Sequence, residues 1–224
     1  MKQINLEKTI GNSKFNRFHF WLIFWGFIII LFDGYDIVIY GTVVPVLIEE
    51  WGLTSVEAGA MGSYGLFGML FGAILLGMLA DRIGKKKVMI LAIVLFSFFT
   101  LLCGFASTPT EFSIYRFIAG LGLGGIMPNV IALCTEYAPA RYRSVVVSIV
   151  LVAYSVGGML APVFGLTLMP NFGWEMLFWL GGIPLLLIPL IYKKVPESSA
   201  LLLQKGRKKE VVEILSKVDD QADF

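Results

Sequence analysis

Six apolar stretches of about twenty residues each, at 18–40, 56–79, 88–105, 112–133, 145–168 and 174–192, leave this chain few ways to fold. Each is the length a helix needs to cross a bilayer. In lipid every backbone N–H and C=O must be satisfied within its own segment or a closed barrel, and the stretches lack the period-2 alternation of barrel strands. A soluble domain is about one-quarter charged; this chain is 15% charged and 57% hydrophobic. The expected fold is an all-α polytopic membrane protein: a tail over 1–17, a six-helix bundle over 18–192 and a further segment over 193–224.

Lys and Arg are distributed with strict alternation. The N-terminal tail carries Lys2, Lys8, Lys14 and Arg17, and the connection between spans 2 and 3 carries Arg82, Lys85, Lys86 and Lys87. Arg141 and Arg143 follow span 4, and seven more cations follow span 6. The alternate connections have none and carry Glu49, Glu50, Glu57, Glu111 and Glu175. The positive-inside rule then places both termini in the cytoplasm. The N-terminus lacks the short apolar run and small-residue site of a cleaved signal, so span 1 is expected to be retained. Trp51 and Trp174 stand at connection edges, where interfacial Trp is favoured. Past Val195-Pro196, Ser198 or Ser199 is expected to cap a short helix, and Val211, Ile214, Leu215 and Val218 recur at helical spacing in an amphipathic one. Cys103 and Cys134 read as small buried hydrophobes.

Apart from Glu57 and Glu175 at span edges, three charges lie within the spans: Asp33 and Asp36 in span 1, Arg116 in span 4. A carboxylate near mid-membrane costs about 2.5–3.5 kcal/mol on insertion scales, which points to a watery path or a partner. Three residues apart, the two aspartates share a helix face. Carboxyls that close repel, so one is expected to carry a proton. Arg116 needs a carboxylate, a carbonyl or an anionic ligand. Two readings follow: coupling and binding, or an internal salt-bridge network that only holds helices together. Tyr35 and Tyr40 can stack an aromatic ring or simply pack. The single histidine, His19, is expected at the membrane interface. No metal-ligand or nucleophile constellation is present, so an enzyme is not expected, nor a nucleic-acid partner.

Gly77-Met-Leu-Ala-Asp81-Arg82-Ile-Gly84-Lys85-Lys86-Lys87 joins spans 2 and 3. It resembles the loop signature of the major facilitator superfamily, G-x-L-A-D-R-x-G-R/K-K/R. Arg116 with Gly120, Gly122 and Gly124 is similar to that superfamily's span-4 pattern, and Gly120 and Gly124 make a small-xxx-small face for close packing. Glu136-Tyr-Ala-Pro139-Ala-Arg141-Tyr-Arg143 resembles its loop after span 4, and Pro196-Glu197-Ser198 the element that opens its central loop. Gly157, Ala161 and Gly165 in span 5 read as a packing ladder, Ala161 standing where an antiporter pattern has Gly. Within the superfamily, Asp33-Gly34-Tyr35-Asp36 resembles the D-G-x-D signature of the aromatic acid:proton symporters, in a context similar to the benzoate-type branch.

The resemblance implies that spans 1 and 4 line a central cavity, with Asp33, Asp36 and Arg116 serving proton coupling and substrate and Gly77, Asp81, Arg82, Gly84, Lys85 and Lys86 forming a conformational loop. It implies proton-coupled uptake of a small organic anion, an aromatic carboxylate, at the plasma membrane, with the proton as coupling ion and no other cofactor. Other superfamily cargoes (sugars, nicotinate-like acids, drugs) and a non-transporting remnant are the alternatives. The superfamily has twelve spans, and the chain maps onto the first six. A separate C-terminal half or a second copy is therefore an expected partner, with truncation as the third possibility.

Overall fold

A computed structural model describes residues 6–218. Among these the regular structure is helical: α1 (Leu6–Asn12), α2 (Arg17–Trp51), α3 (Ser55–Ile83), α4 (Lys85–Cys103), α5 (Pro109–Tyr137), a 3₁₀ turn at Ala140–Tyr142, α6 (Arg143–Phe172), α7 (Glu175–Leu180), α8 (Ile183–Lys194), α9 (Ser199–Gln204) and α10 (Lys208–Val218). Six membrane-length spans result, α7 and α8 forming the sixth. Both ends of the bundle chain therefore emerge on one side, the side rich in Lys and Arg, called here the basic end.

Local chemistry explains where the spans start. Thr54 caps α3, its Oγ1 accepting from the Glu57 N–H at 3.3 Å while Glu57 Oε2 accepts from the Thr54 N–H at 2.8 Å. Thr108 caps α5 through the Glu111 N–H, and Glu111 reaches back to the N–H of Ser107. Asn16 caps α2 by accepting from the backbone of Phe18 and His19. Its own N–H donates to His19 Nδ1 at 3.2 Å, which leaves Nε2 to donate to the Tyr137 carbonyl at 3.0 Å. His19 is thus buried, 2% exposed, and bolts α2 to α5. His19 stands in the first turn of α2, at the edge of the span, with both ring nitrogens used.

Spans 2, 4 and 5 run up to four residues past the expected ends, and two larger differences stand out. Span 1 continues past Tyr40 through Pro45 to Trp51, so only a short turn at Gly52 separates it from α3. An irregular stretch at that depth would leave N–H and C=O groups unsatisfied in hydrocarbon, whereas the extended helix satisfies them and packs Val43 and Leu47. The sixth span breaks at Gly181-Gly182, because Pro184 supplies no N–H to the preceding turn.

Helix pairs are set by small residues. A Cβ on Gly68 or Gly72 of α3 would strike the carbonyl oxygens of Phe117 and Leu121, and one on Gly120 or Gly124 of α5 those of Gly65 and Met69. The two backbones are in reciprocal contact over two turns. Gly122, on another side of α5, meets Ala92 and Phe96 of α4. Gly34 of α2 and Gly157 of α6 do the same, facing the backbones of Tyr154 and Leu31. In lipid, where apolar burial drives little, such close approach is the main source of association energy. Toward the acidic end, Phe112, Trp174 and Phe178 pack edge to face with ring centroids 5.2–6.2 Å apart, and Trp174 Nε1 donates to Glu50 Oε2 at 2.7 Å. Trp174 is accordingly buried at the span edge.

Candidate functional site

Two of the span charges, Asp36 and Arg116, meet between α2, α4 and α5. Arg116 Nη1 donates to Asp36 Oδ2 at 2.8 Å and Nη2 to the Asp36 carbonyl at 3.4 Å. Thr100 of α4 donates its hydroxyl to the other carboxylate oxygen, Oδ1, at 2.5 Å. Asp36 is 0% exposed and Arg116 4%. A buried pair of this kind holds only because each charge is compensated; removing one partner leaves the other stranded, at about 3–5 kcal/mol. Thr100 is not legible in the sequence, since a lone Thr in an apolar span carries no signal until its neighbour is known.

The pair is not closed on the arginine side. Arg116 Nε is buried without a hydrogen-bond partner. Arg116 also lines a cleft of about 320 Å³ between α2, α3 and α5, with Tyr40, Gly62, Ser63 and Gly65 among its walls. That volume lies at the small end of ligand pockets, which run about 300–1,000 Å³. The Tyr40 ring is held in place: its hydroxyl donates to the Ala58 carbonyl, and its ring atoms lie where a Gly62 side chain would stand. Tyr35 is elsewhere. Its hydroxyl donates to the Leu177 carbonyl at 2.8 Å and its ring meets Phe164 edge-on, so it belongs to the α2–α6–α7 packing and not to this cleft.

Asp33, one turn earlier, is separate from the pair. It is 2% exposed, and among the described residues it has no salt bridge and its Oδ1 no hydrogen-bond partner. A buried carboxyl without a cation is costly in its ionised form.

At the basic end the loop between α3 and α4 is held by two carboxylates. Gly84 has φ +113°, a region open to glycine, and a Cβ there would strike the Glu197 carboxylate. Glu197 Oε1 accepts from the Lys86 N–H at 3.1 Å and the Ser198 N–H at 2.9 Å. Glu136 pairs with Lys85 Nζ at 3.0 Å and accepts from the hydroxyls of Ser198 and Ser199 and from the Ala200 N–H. Tyr137 donates its hydroxyl to the Glu197 carbonyl at 2.5 Å. Ser198 therefore stands at the N-cap of α9 but spends its side chain on Glu136 instead of capping. Asp81 and Arg82 are exposed, and Gly77 has nothing within 4 Å of where a Cβ would be.

Glu136→Gln removes the ion pair and weakens three charge-assisted hydrogen bonds, each worth about 1.5–3 kcal/mol. Limited trypsinolysis at Lys205 and Arg207 is expected to run at least tenfold faster in this variant. An unchanged rate would show that Glu136 does not restrain the α9 segment.

Residues 26–220 match the Major Facilitator Superfamily. The chain is 45% identical over 222 residues to the benzoate transport protein of Acinetobacter baylyi, covering 97% of this chain and 48% of that protein. It is 40% identical over 184 residues to the gentisate transporter of Corynebacterium glutamicum, covering 80% and 41%. The 4-hydroxybenzoate transporter of A. baylyi is 36% identical over 220 residues, covering 97% and 48%. The chain thus spans about half the length of the curated relatives it matches. In fold it is similar to the partially occluded inward-open xylose transporter XylE of E. coli, with a TM-score of 0.80 at 24% identity over 91% of this chain and 54% of that one. With six membrane-spanning helices, the glycine-packed α3–α5 and α2–α6 pairs and the family match across most of its length, the chain belongs to the Major Facilitator Superfamily.

Proposed function

We propose that the chain forms the first six spans of a carrier that takes small aromatic carboxylates, benzoate-like anions, into the cell together with a proton. The observation that carries this reading is that Arg116 lines a cleft walled by Tyr40 while its Nε has no hydrogen-bond partner. A carboxylate reaching Arg116 finds a donor that Asp36 does not occupy, and a planar ring beside it finds the Tyr40 face. Arg suits this role because its fork matches a carboxylate's two oxygens. Relatives of the same family named for benzoate, gentisate and 4-hydroxybenzoate support the substrate class.

Asp33 is the proton carrier in this reading and Asp36 the residue that orients Arg116. The bundle sits in the plasma membrane with the basic end, and so both termini, in the cytoplasm. A second six-span half closes the open side of the cleft, and rocking of the two halves about a midplane site gives alternating access.

The test is uptake of radiolabelled benzoate by cells expressing the chain alone and together with a C-terminal six-span half. Uptake is expected only with both halves present, and to rise with an inward proton gradient. Asp33→Asn is expected to abolish accumulation against a gradient while preserving benzoate exchange at equilibrium. Accumulation by Asp33→Asn at the unsubstituted level would remove Asp33 from the coupling step.

A further inference from the structure

At the basic end, away from the Arg116 cleft, an open cleft of about 1180 Å³ lies between the start of α2, the start of α4, the end of α8 and α10. Seven Lys and Arg line it against three Glu. Two of the cations are used locally: Arg207 pairs with Glu210 at 2.6 Å and Lys217 with Glu213 at 2.8 Å. The third carboxylate, Glu197, accepts from backbone N–H groups. Arg17, Lys87, Lys193 and Lys194 remain without an ion pair among the described residues. Lysines in the last turn of α8 would by themselves be ordinary complements to that helix's free carbonyls. Here cations from the starts of two other helices converge on the same space.

The rim gives the cleft its level in the membrane. Trp21 is 47% exposed and Tyr192 61%, and Phe20 and Phe24 continue the exposed apolar face along α2. Exposed Trp and Tyr mark the headgroup level of a bilayer. Lys86 Nζ sits 4.6 Å over the Tyr192 ring, which keeps that ring at the mouth. α10 forms one wall. It buries Val211, Leu215 and Val218, and its last carbonyls, those of Lys217 and Val218, accept from the Asn16 side-chain amide at 2.9 and 3.2 Å. Asn16 thus caps α2 with its oxygen and pins α10 with its nitrogen.

We infer that this cleft binds the phosphodiester headgroup of an anionic phospholipid, with the acyl chains running down past Trp21 and Tyr192 toward the exposed face of α2. Basic pockets between transmembrane helices at the cytoplasmic level suit such headgroups. A freely dissolved phosphate would use the same cations but gain nothing from the aromatic rim.

The experiment is native mass spectrometry of the purified 224-residue chain, titrated with phosphatidylglycerol, phosphatidylcholine or inorganic phosphate. The unsubstituted chain is expected to retain phosphatidylglycerol over phosphatidylcholine. The Lys87→Gln/Lys194→Gln chain is expected to lose about thirtyfold in phosphatidylglycerol retention, at about fivefold for each charge removed. Arg141→Gln/Lys205→Gln removes the same charge outside the cleft and is expected to leave retention unchanged. Equal retention of the two lipids by the unsubstituted chain would overturn the proposal whatever the variants do. Equal loss in both double variants would reduce it to bulk charge, and displacement of the lipid by inorganic phosphate would make the occupant a free anion.

Discussion

Arg116→Leu is expected to lower the thermal midpoint of the detergent-solubilised chain by roughly 10 °C, from a loss of about 3–5 kcal/mol. The reason is what it leaves behind: Asp36, 0% exposed, keeps one donor from Thr100 and no cation. The paired variant Asp36→Leu/Arg116→Met removes both charges and fills similar volume. Buried pairs replaced this way are often neutral or even stabilised. Its midpoint is expected to return to within a few degrees of the unsubstituted chain, while benzoate uptake with a C-terminal half stays at background. This separates the two readings of the pair that the sequence leaves open. A purely structural salt bridge predicts that uptake returns with stability in the paired variant, and that result would refute substrate binding at Arg116. Arg116→Lys adds a finer distinction. Lysine keeps the charge but not the fork, so the Nη2 contact to the Asp36 carbonyl and the free Nε are both lost. Affinity for the aromatic carboxylate is expected to fall more steeply than stability.

The six spans were legible because bilayer thickness sets their length and because Lys and Arg alternate between connections. Span ends were less legible. Hydropathy first pauses at Gly41 and Thr42, which points to an end of span 1 at Tyr40, although the helix runs on to Trp51. A proline such as Pro45 signals a break in water; in a span, continued helix costs less than open backbone. At the other helix starts the signal was present: Thr54 with Glu57 and Thr108 with Glu111 are capping spacings that define α3 and α5. For the site, the sequence supplied Asp33, Asp36 and Arg116 as charges needing an explanation, but not which aspartate Arg116 would take. That depends on helix rotation, fixed by contacts such as Gly34 against Tyr154 and Gly120 against Gly65. The same rotation separates the two tyrosines, turning Tyr40 to the Arg116 cleft and Tyr35 to Leu177. The resemblance-based motif at 77–87 names eleven consecutive positions but not their partners. The partners, Glu136 and Glu197, lie far along the chain, so only the fold brings them to Lys85 and Lys86.

Substitutions that place a methyl group in the helix seams should have the second large effect. Gly72→Ala would drive its Cβ into the Leu121 carbonyl, and Gly157→Ala into that of Leu31. Backbone cannot swing aside as a long side chain can, so the helices must separate. Overpacking of a tight core costs about 1–3 kcal/mol, and a seam that depends on close backbone approach loses dispersion contacts over several residues besides. Each variant is expected to reduce the yield of monodisperse protein several-fold and to lower the thermal midpoint. Gly77→Ala is the internal control: it lies on the same helix as Gly72, within the loop signature, yet a Cβ there meets nothing within 4 Å. Alanine exceeds glycine in helix propensity by about 1 kcal/mol, so Gly77→Ala should be neutral or slightly stabilising in the isolated chain. Measured with a C-terminal half, the same substitution reads out something else. If Gly77 borders the surface that the second half approaches, Gly77→Ala will slow transport while leaving the stability of the six-span chain untouched. If it faces lipid in the complete carrier, transport will be unchanged as well. Melting of Gly72→Ala at the unsubstituted temperature would mean that the α3–α5 seam is looser than the reciprocal Gly72–Leu121 and Gly124–Met69 contacts imply.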